Sequence, residues 1–89
     1  MRLDKWLKLS RVIKRRTIAN EACDKDKVVI NGKIAKASTE VKVGDLLEIT
    51  MGLRKTVIKI VQVPDHHNVT TQESKNLYEL LSDESLLFD

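Results

Sequence analysis

At the start of the chain Leu3, Trp6 and Leu7 recur at three- to four-residue spacing, with Val12 as a further apolar position, leaving Lys5 and Lys8 on the opposite, wet side. Asp4 stands where a side-chain oxygen would cap the short helix this spacing predicts. Thr17 is the next such cap. Behind it Ile18, Ala19, Ala22 and Cys23 form one stripe of a second helix running to about Asp26, with Glu21 and Lys25 as a favourable i, i+4 pair. Asn20 occupies the third helical position, so the capping box is incomplete. The period then shortens to two. "KVVINGKIAKA" places β-branched residues on both sides of Asn31-Gly32, a strong hairpin signal because a type I′ turn needs positive φ at both central positions. "STEVKVGD" reads as a crossing loop with its turn at Gly44-Asp45, and "LLEITM" and "TVIKIVQV" as two further strands joined around Gly52. Pro64, which has no amide hydrogen to give, is expected to end the sheet.

Residues 65–76, "DHHNVTTQESKN", carry no core pattern and read as a linker. Beyond them Leu77, Leu80 and Leu81, with Ser85 or Leu86, fall on overlapping faces of a short amphipathic helix that would form fully only against a partner. The expectation is an α+β domain over residues 1–63, two short N-terminal helices packed on a small antiparallel sheet, followed by a linker and acidic C-terminal tail over 64–89.

Composition narrows this picture. Eighty-nine residues allow one domain, and with aromatics at 3% its core must be mostly Val, Ile and Leu. No apolar run approaches the roughly eighteen residues of a spanning helix, and no signal-peptide core is present, so a cytoplasmic location is expected. Cys23 is the single cysteine and reads as a small buried residue. Charge is distributed unevenly: residues 1–36 hold eleven Lys or Arg against four Asp or Glu, whereas residues 64–89 hold one against six. A strongly basic first third marks a binder of nucleic acid or of a membrane surface.

Catalytic candidates are poor. His66 and His67 are adjacent and would point to opposite sides of a strand, Cys23 is remote from them, and the three glycines all fall at turns rather than in a phosphate loop. No catalytic residue, cofactor or metal is expected. The basic set is stronger: Arg2 precedes the first helix, Lys5 sits on its exposed face, Arg11, Lys14, Arg15 and Arg16 fill the joint between the helices, Thr17 begins a helix whose amides suit phosphate, and Lys27 and Lys33 flank the hairpin. Folding is expected to gather them on one surface. Trp6 has two readings, a core residue by its spacing with Leu3 and Leu7, or a platform for a base. The second helix is short and half acidic, unlike a DNA-recognition helix, and no large apolar residues flank the cations as a membrane binder would need. Folded RNA is the preferred partner.

The stretch "RLDKWLKLSRVIKRRTIANEACDKDKVVINGKIAKASTEVKVGD" closely resembles the S4 RNA-binding domain: Arg-Leu-Asp-Lys, a basic joint, a Ser or Thr cap, a strand ending in Asn-Gly-Lys, and a closing Val-x-x-Gly-Asp. The likeness covers about residues 2–49 and is greatest to the small stand-alone S4 proteins of bacteria, the RqcP and heat-shock S4 family. It implies an α-L fold, binding to large-subunit ribosomal RNA, contact with the tRNA of obstructed peptidyl-tRNA on a split 50S subunit, and support of the partner RqcH in adding a C-terminal alanine tail to stalled chains. By motif position Arg2, Lys5, Lys14, Arg15, Arg16, Thr17, Asn20, Lys27, Asn31 and Lys33 would face RNA, although Asn31 is equally explained as a turn residue. The protein is expected to act as a monomer without enzymatic activity. The alternatives are a general heat-shock-type role on stalled subunits, or an adaptor working through the acidic tail.

Overall fold

The computed structural model describes residues 1–65 and 69–85. Helix α1 spans Leu3–Leu9 and α2 spans Arg16–Asp24. Strands β1 (Val28–Ile30), β2 (Lys33–Ile34), β3 (Leu46–Met51) and β4 (Arg54–Ile60) follow, then a short helix α3 (Thr71–Ser74) and a last strand β5 (Tyr78–Ser85). The strands make one antiparallel sheet in the order β2-β1-β3-β4-β5. The α+β class and the paired N-terminal helices are as the sequence predicts.

The helix starts differ from expectation. Arg2, not Asp4, is the N-cap of α1, and it makes no side-chain cap. None is needed there, because the backbone N–H groups of Leu3 and Asp4 donate to the carbonyls of Thr39 (2.8 Å) and Ala37 (3.2 Å) in the crossing loop. Arg15 likewise replaces Thr17 as the N-cap of α2. That helix ends at Asp24 in a Schellman arrangement, with Asp26 at φ 59° and the Lys27 N–H donating to the Ala22 carbonyl at 2.9 Å.

The hairpin forms where the turn signal placed it. Asn31 and Gly32 have φ of 49° and 84°, both in the region a type I′ turn requires, and Ile30 pairs with Lys33 across it. The β3–β4 hairpin closes around Gly52, pairing Met51 with Arg54.

The C-terminal segment overturns the tail expectation. Pro64 interrupts the sheet without ending it, residues 71–74 form α3, and Leu77, only 3% exposed, enters the core. From Tyr78 to Ser85 the chain is a strand rather than a helix, registered along β4 from Ile60↔Tyr78 to Arg54↔Ser85. The reason is tertiary. The outer edge of β4 offers a full row of backbone partners, and strand pairing outweighs the helical spacing of Leu80 and Leu81, both of which stay about half exposed. The register shifts between Val57 and Ile58, so Ser82 faces Val57 and Leu80 faces Ile58, leaving Leu81 as the extra residue of a bulge. Leu86, named in the helical stripe, lies outside the described residues.

Leu3, Trp6 and Leu7 of α1 and Ala19, Ala22 and Cys23 of α2 share one core with Val28, Leu47, Ile49, Ile58 and Ile60 of the sheet. Trp6 is fully buried and its Nε1–H donates to the Gln62 carbonyl at 3.0 Å, which removes the base-stacking reading. Burial, with the nearby carboxylates of Asp4 and Asp24, pushes the Cys23 thiol up to about 11, so it is a packing residue and not a nucleophile. No helix among the described residues is long and apolar enough to cross a membrane.

Candidate nucleic-acid interface

Asp4 organises the first cationic cluster. It lies in the first turn of α1 and is only 2% exposed. Its Oδ1 accepts from the Lys5 backbone N–H (2.8 Å) and from Arg2 Nε (3.2 Å). Its Oδ2 accepts from Asn20 Nδ2 (3.3 Å), Arg16 Nε (3.4 Å) and Arg2 Nη2 (3.4 Å). Burial alone would push this carboxyl up, but hydrogen bonds from Asn20 and Arg2 and the charges of Arg16 and Arg2 outweigh it and hold the group below its ordinary 3.8. One carboxylate thus aligns two guanidiniums that remain about half exposed, at 51% and 48%. Each guanidinium has five N–H donors, so both keep donors that Asp4 does not use. Around them Arg2 and Arg16 line two adjoining concavities, one shared with Lys5 and the other with Thr17 and Asn20. The local charge stays positive and the donors are pre-positioned, which suits phosphate oxygens.

The remaining cations are not all drawn to that corner. Arg11, Lys14 and Arg15 line a separate concavity together with Ile18 of α2 and with Met51, Arg54 and Thr56 of the β3–β4 hairpin. Arg11 occupies the position after the α1 C-cap with φ 61°, a left-handed conformation that costs a non-glycine residue about 1 kcal/mol. Lys27 lies farther along the same side of α2, in a concavity with Lys25, Ile18 and Met51. Lys33 is exposed on β2. Asn31 is committed to the fold, with Nδ2 donating to Asp45 Oδ1 at 3.0 Å and Oδ1 accepting from the Leu46 N–H at 2.9 Å. The structure therefore brings Arg2, Lys5, Arg16, Thr17 and Asn20 together on one flank of α2, puts Arg11, Lys14, Arg15 and Lys27 along another, and leaves Asn31 and Lys33 at the hairpin.

Three contributors lay outside the residues singled out from sequence. Asp4 read as a helix cap, because nothing local shows that a carboxylate will be met by residues twelve and sixteen positions away. Met51 and Arg54 arrive through the β3–β4 turn and carry no motif. Among the described residues no group of His, Cys, Asp and Glu gathers as a metal site. The prediction that His66 and His67 point apart lies outside those residues.

The S4 domain family matches residues 1–47, which hold α1, α2, the first hairpin and the loop that feeds α1 its carbonyls. The chain belongs to the S4 domain family, in the group formed by the RQC P-site tRNA stabilizing factors and the heat-shock S4 proteins. It is 42% identical to the RQC P-site tRNA stabilizing factor of Streptococcus pneumoniae, over 93% of this chain and 92% of that one. Its identity to the factor of the same name from Halalkalibacterium halodurans is 44%, over 97% and 96%. The trimeric heat shock protein 15 of Vibrio cholerae superposes with a TM-score of 0.81 at 32% identity, covering 92% of this chain and 82% of that one.

Proposed function

We propose that this protein is a non-catalytic RNA-binding factor of ribosome quality control. It docks on large-subunit ribosomal RNA and on the tRNA of obstructed peptidyl-tRNA–50S complexes, and so supports RqcH-dependent C-terminal alanine tailing in the cytoplasm. The observation that carries this proposal is the Asp4-centred cluster, in which a buried carboxylate holds two half-exposed guanidiniums and an amide in a fixed array. Such an array recognises phosphate by geometry, and Lys5 and Thr17 extend it. The tRNA part is supported by relatives named for stabilising a P-site tRNA.

The mechanism is occupancy. Arg2 and Arg16 replace counterions on neighbouring phosphates, and the released ions supply much of the binding free energy. Arg11, Lys14, Arg15, Lys27 and Lys33 add charge on the other surfaces, so an RNA element and a tRNA can be held in one geometry with no bond made or broken. Asn31 acts one step back, by fixing the hairpin that presents Lys33.

The test is co-sedimentation with large ribosomal subunits over a range of salt concentrations. The Arg2→Ala/Arg16→Ala double variant is expected to stop pelleting with the subunits while its circular dichroism stays native. Each lost phosphate contact should reduce the slope of log K against log salt by about 0.7 to 0.9. Retained pelleting in that variant would refute the assignment of this face. Turnover of an RNA substrate by the purified protein would refute its non-catalytic character.

A further inference from the structure

Helix α2 has two functional flanks. At about 100° per residue, Arg16, Thr17 and Asn20 fall on one side and Ile18, Glu21, Ala22 and Lys25 on another, roughly 140° away. The first side meets Asp4. The second faces the β3–β4 hairpin across a groove whose two concavities share Ile18 and Met51.

We propose that this groove is a second nucleic-acid site, taking an unpaired RNA segment; the proposal rests on the protein being an RNA binder and adds a ligand class to it. Four cations, Arg11, Lys14, Arg15 and Arg54, stand at one end, and Lys25 and Lys27 at the other. Among the described residues that line the groove or pair with its cations, two carboxylates enter the balance, Glu21 paired with Lys25 and Asp83 paired with Arg54 at 3.1 Å. Six positive charges less two leave +4. Among the described residues none of Arg11, Lys14 and Arg15 pairs with a carboxylate. Arginine stands at the left-handed position of residue 11, where glycine would fit without strain, so this end of the groove carries a cation at a conformational cost.

The floor distinguishes a single strand from a duplex. Ile18 is half-buried and Met51 is 41% exposed, so the middle of the groove is apolar between its two charged ends. A duplex would offer that floor sugar, phosphate and base edges but no base face, whereas an unstacked base offers a flat apolar face that polarisable methionine packs against well. The groove follows α2 for about 13 Å, room for two or three nucleotides of extended strand. Arg54 is aimed by the last strand: Asp83 Oδ1 accepts from both Arg54 Nη1 and, at 3.2 Å, the Thr56 hydroxyl. Strand β5 therefore positions one wall of the groove.

Fluorescence anisotropy with labelled oligouridylate of about eight nucleotides tests this. Arg54→Glu is expected to weaken binding roughly ten-fold and to flatten its salt dependence, and Met51→Ser to weaken it about three-fold, both with native circular dichroism at the assay temperature. Arg54→Lys keeps the charge and is expected to bind within about two-fold of the parent, which separates loss of the site from disturbance of the β5 edge. Arg2→Ala/Arg16→Ala should retain more oligouridylate affinity than Arg54→Glu, although it loses the ribosomal subunit. Equal binding by Arg54→Glu and the parent, or no binding by the parent, overturns the proposal. So does hexaglutamate that binds the parent, fails with Arg54→Glu and is not displaced by oligouridylate, an outcome that would assign the groove to an acidic peptide. Failure of the Asp4-centred assignment would appear separately, as subunit binding that survives in Arg2→Ala/Arg16→Ala.

Discussion

Asp4 shows how one buried atom pair can decide a surface. Asp4→Asn keeps the shape but removes the charge that Arg2 and Arg16 share, leaving two guanidiniums to repel each other. The expected loss is about 2 kcal/mol, from hydrogen bonds to a charged group that no longer form, read as a fall of roughly 10 °C in the thermal midpoint. Because the folded carboxyl lies below its ordinary 3.8, its contribution is fully present above that value and is lost as pH falls through the lower folded one. Stability should therefore be flat in this group near neutrality and decline below about pH 4, and Asp4→Asn should remove its share of that acid slope. Arg11→Gly makes the opposite trade. It relieves the left-handed strain, so the melt should be unchanged or up to about 1 kcal/mol better, while the salt slope of RNA binding falls by about 0.7 to 0.9. Residue types and spacing indicated that a basic joint exists, but not which cation a carboxylate twelve positions away would hold.

At the scale of elements, legibility followed how local each signal was. The Asn31-Gly32 hairpin and the Gly52 turn carry their own conformational requirement, and both formed where expected. The helix caps did not, since α1 draws carbonyls from the loop at Ala37 and Thr39, a contact with no sequence mark. The segment after Pro64 departs from its sequence expectation because "LYELL" fits a helical period, while the partner that makes it a strand, β4, lies about twenty residues earlier. A consequence is that the C-terminal segment cannot be trimmed as though it were a tail. Leu77→Ala is expected to cost about 2 to 4 kcal/mol in a denaturant melt, and a chain ending at Val63 to lose its cooperative transition. A Leu77→Ala protein as stable as the parent would show that the core does not depend on this return.

Across the whole molecule, the charge gradient of the sequence becomes a division of labour: cations on both flanks of α2, and carboxylates on β5 at the far edge of the sheet, where Asp83 steadies Arg54. The single tryptophan lies between the helices and the sheet, so its fluorescence reports on the fold and not on ligands. Its emission should be blue-shifted, resist acrylamide quenching with or without RNA, and change on heating together with the far-ultraviolet circular dichroism. Quenching on RNA addition would contradict a buried indole.

The bulge at Leu81 is expected to influence how these molecules treat one another in a crowded solution. A strand at the margin of a sheet invites another to lie alongside, and one supernumerary residue bends that margin so that a straight neighbour cannot match it. Deleting Leu81 should straighten it, and light scattering should then record a steeper growth of particle size with protein concentration than the parent shows.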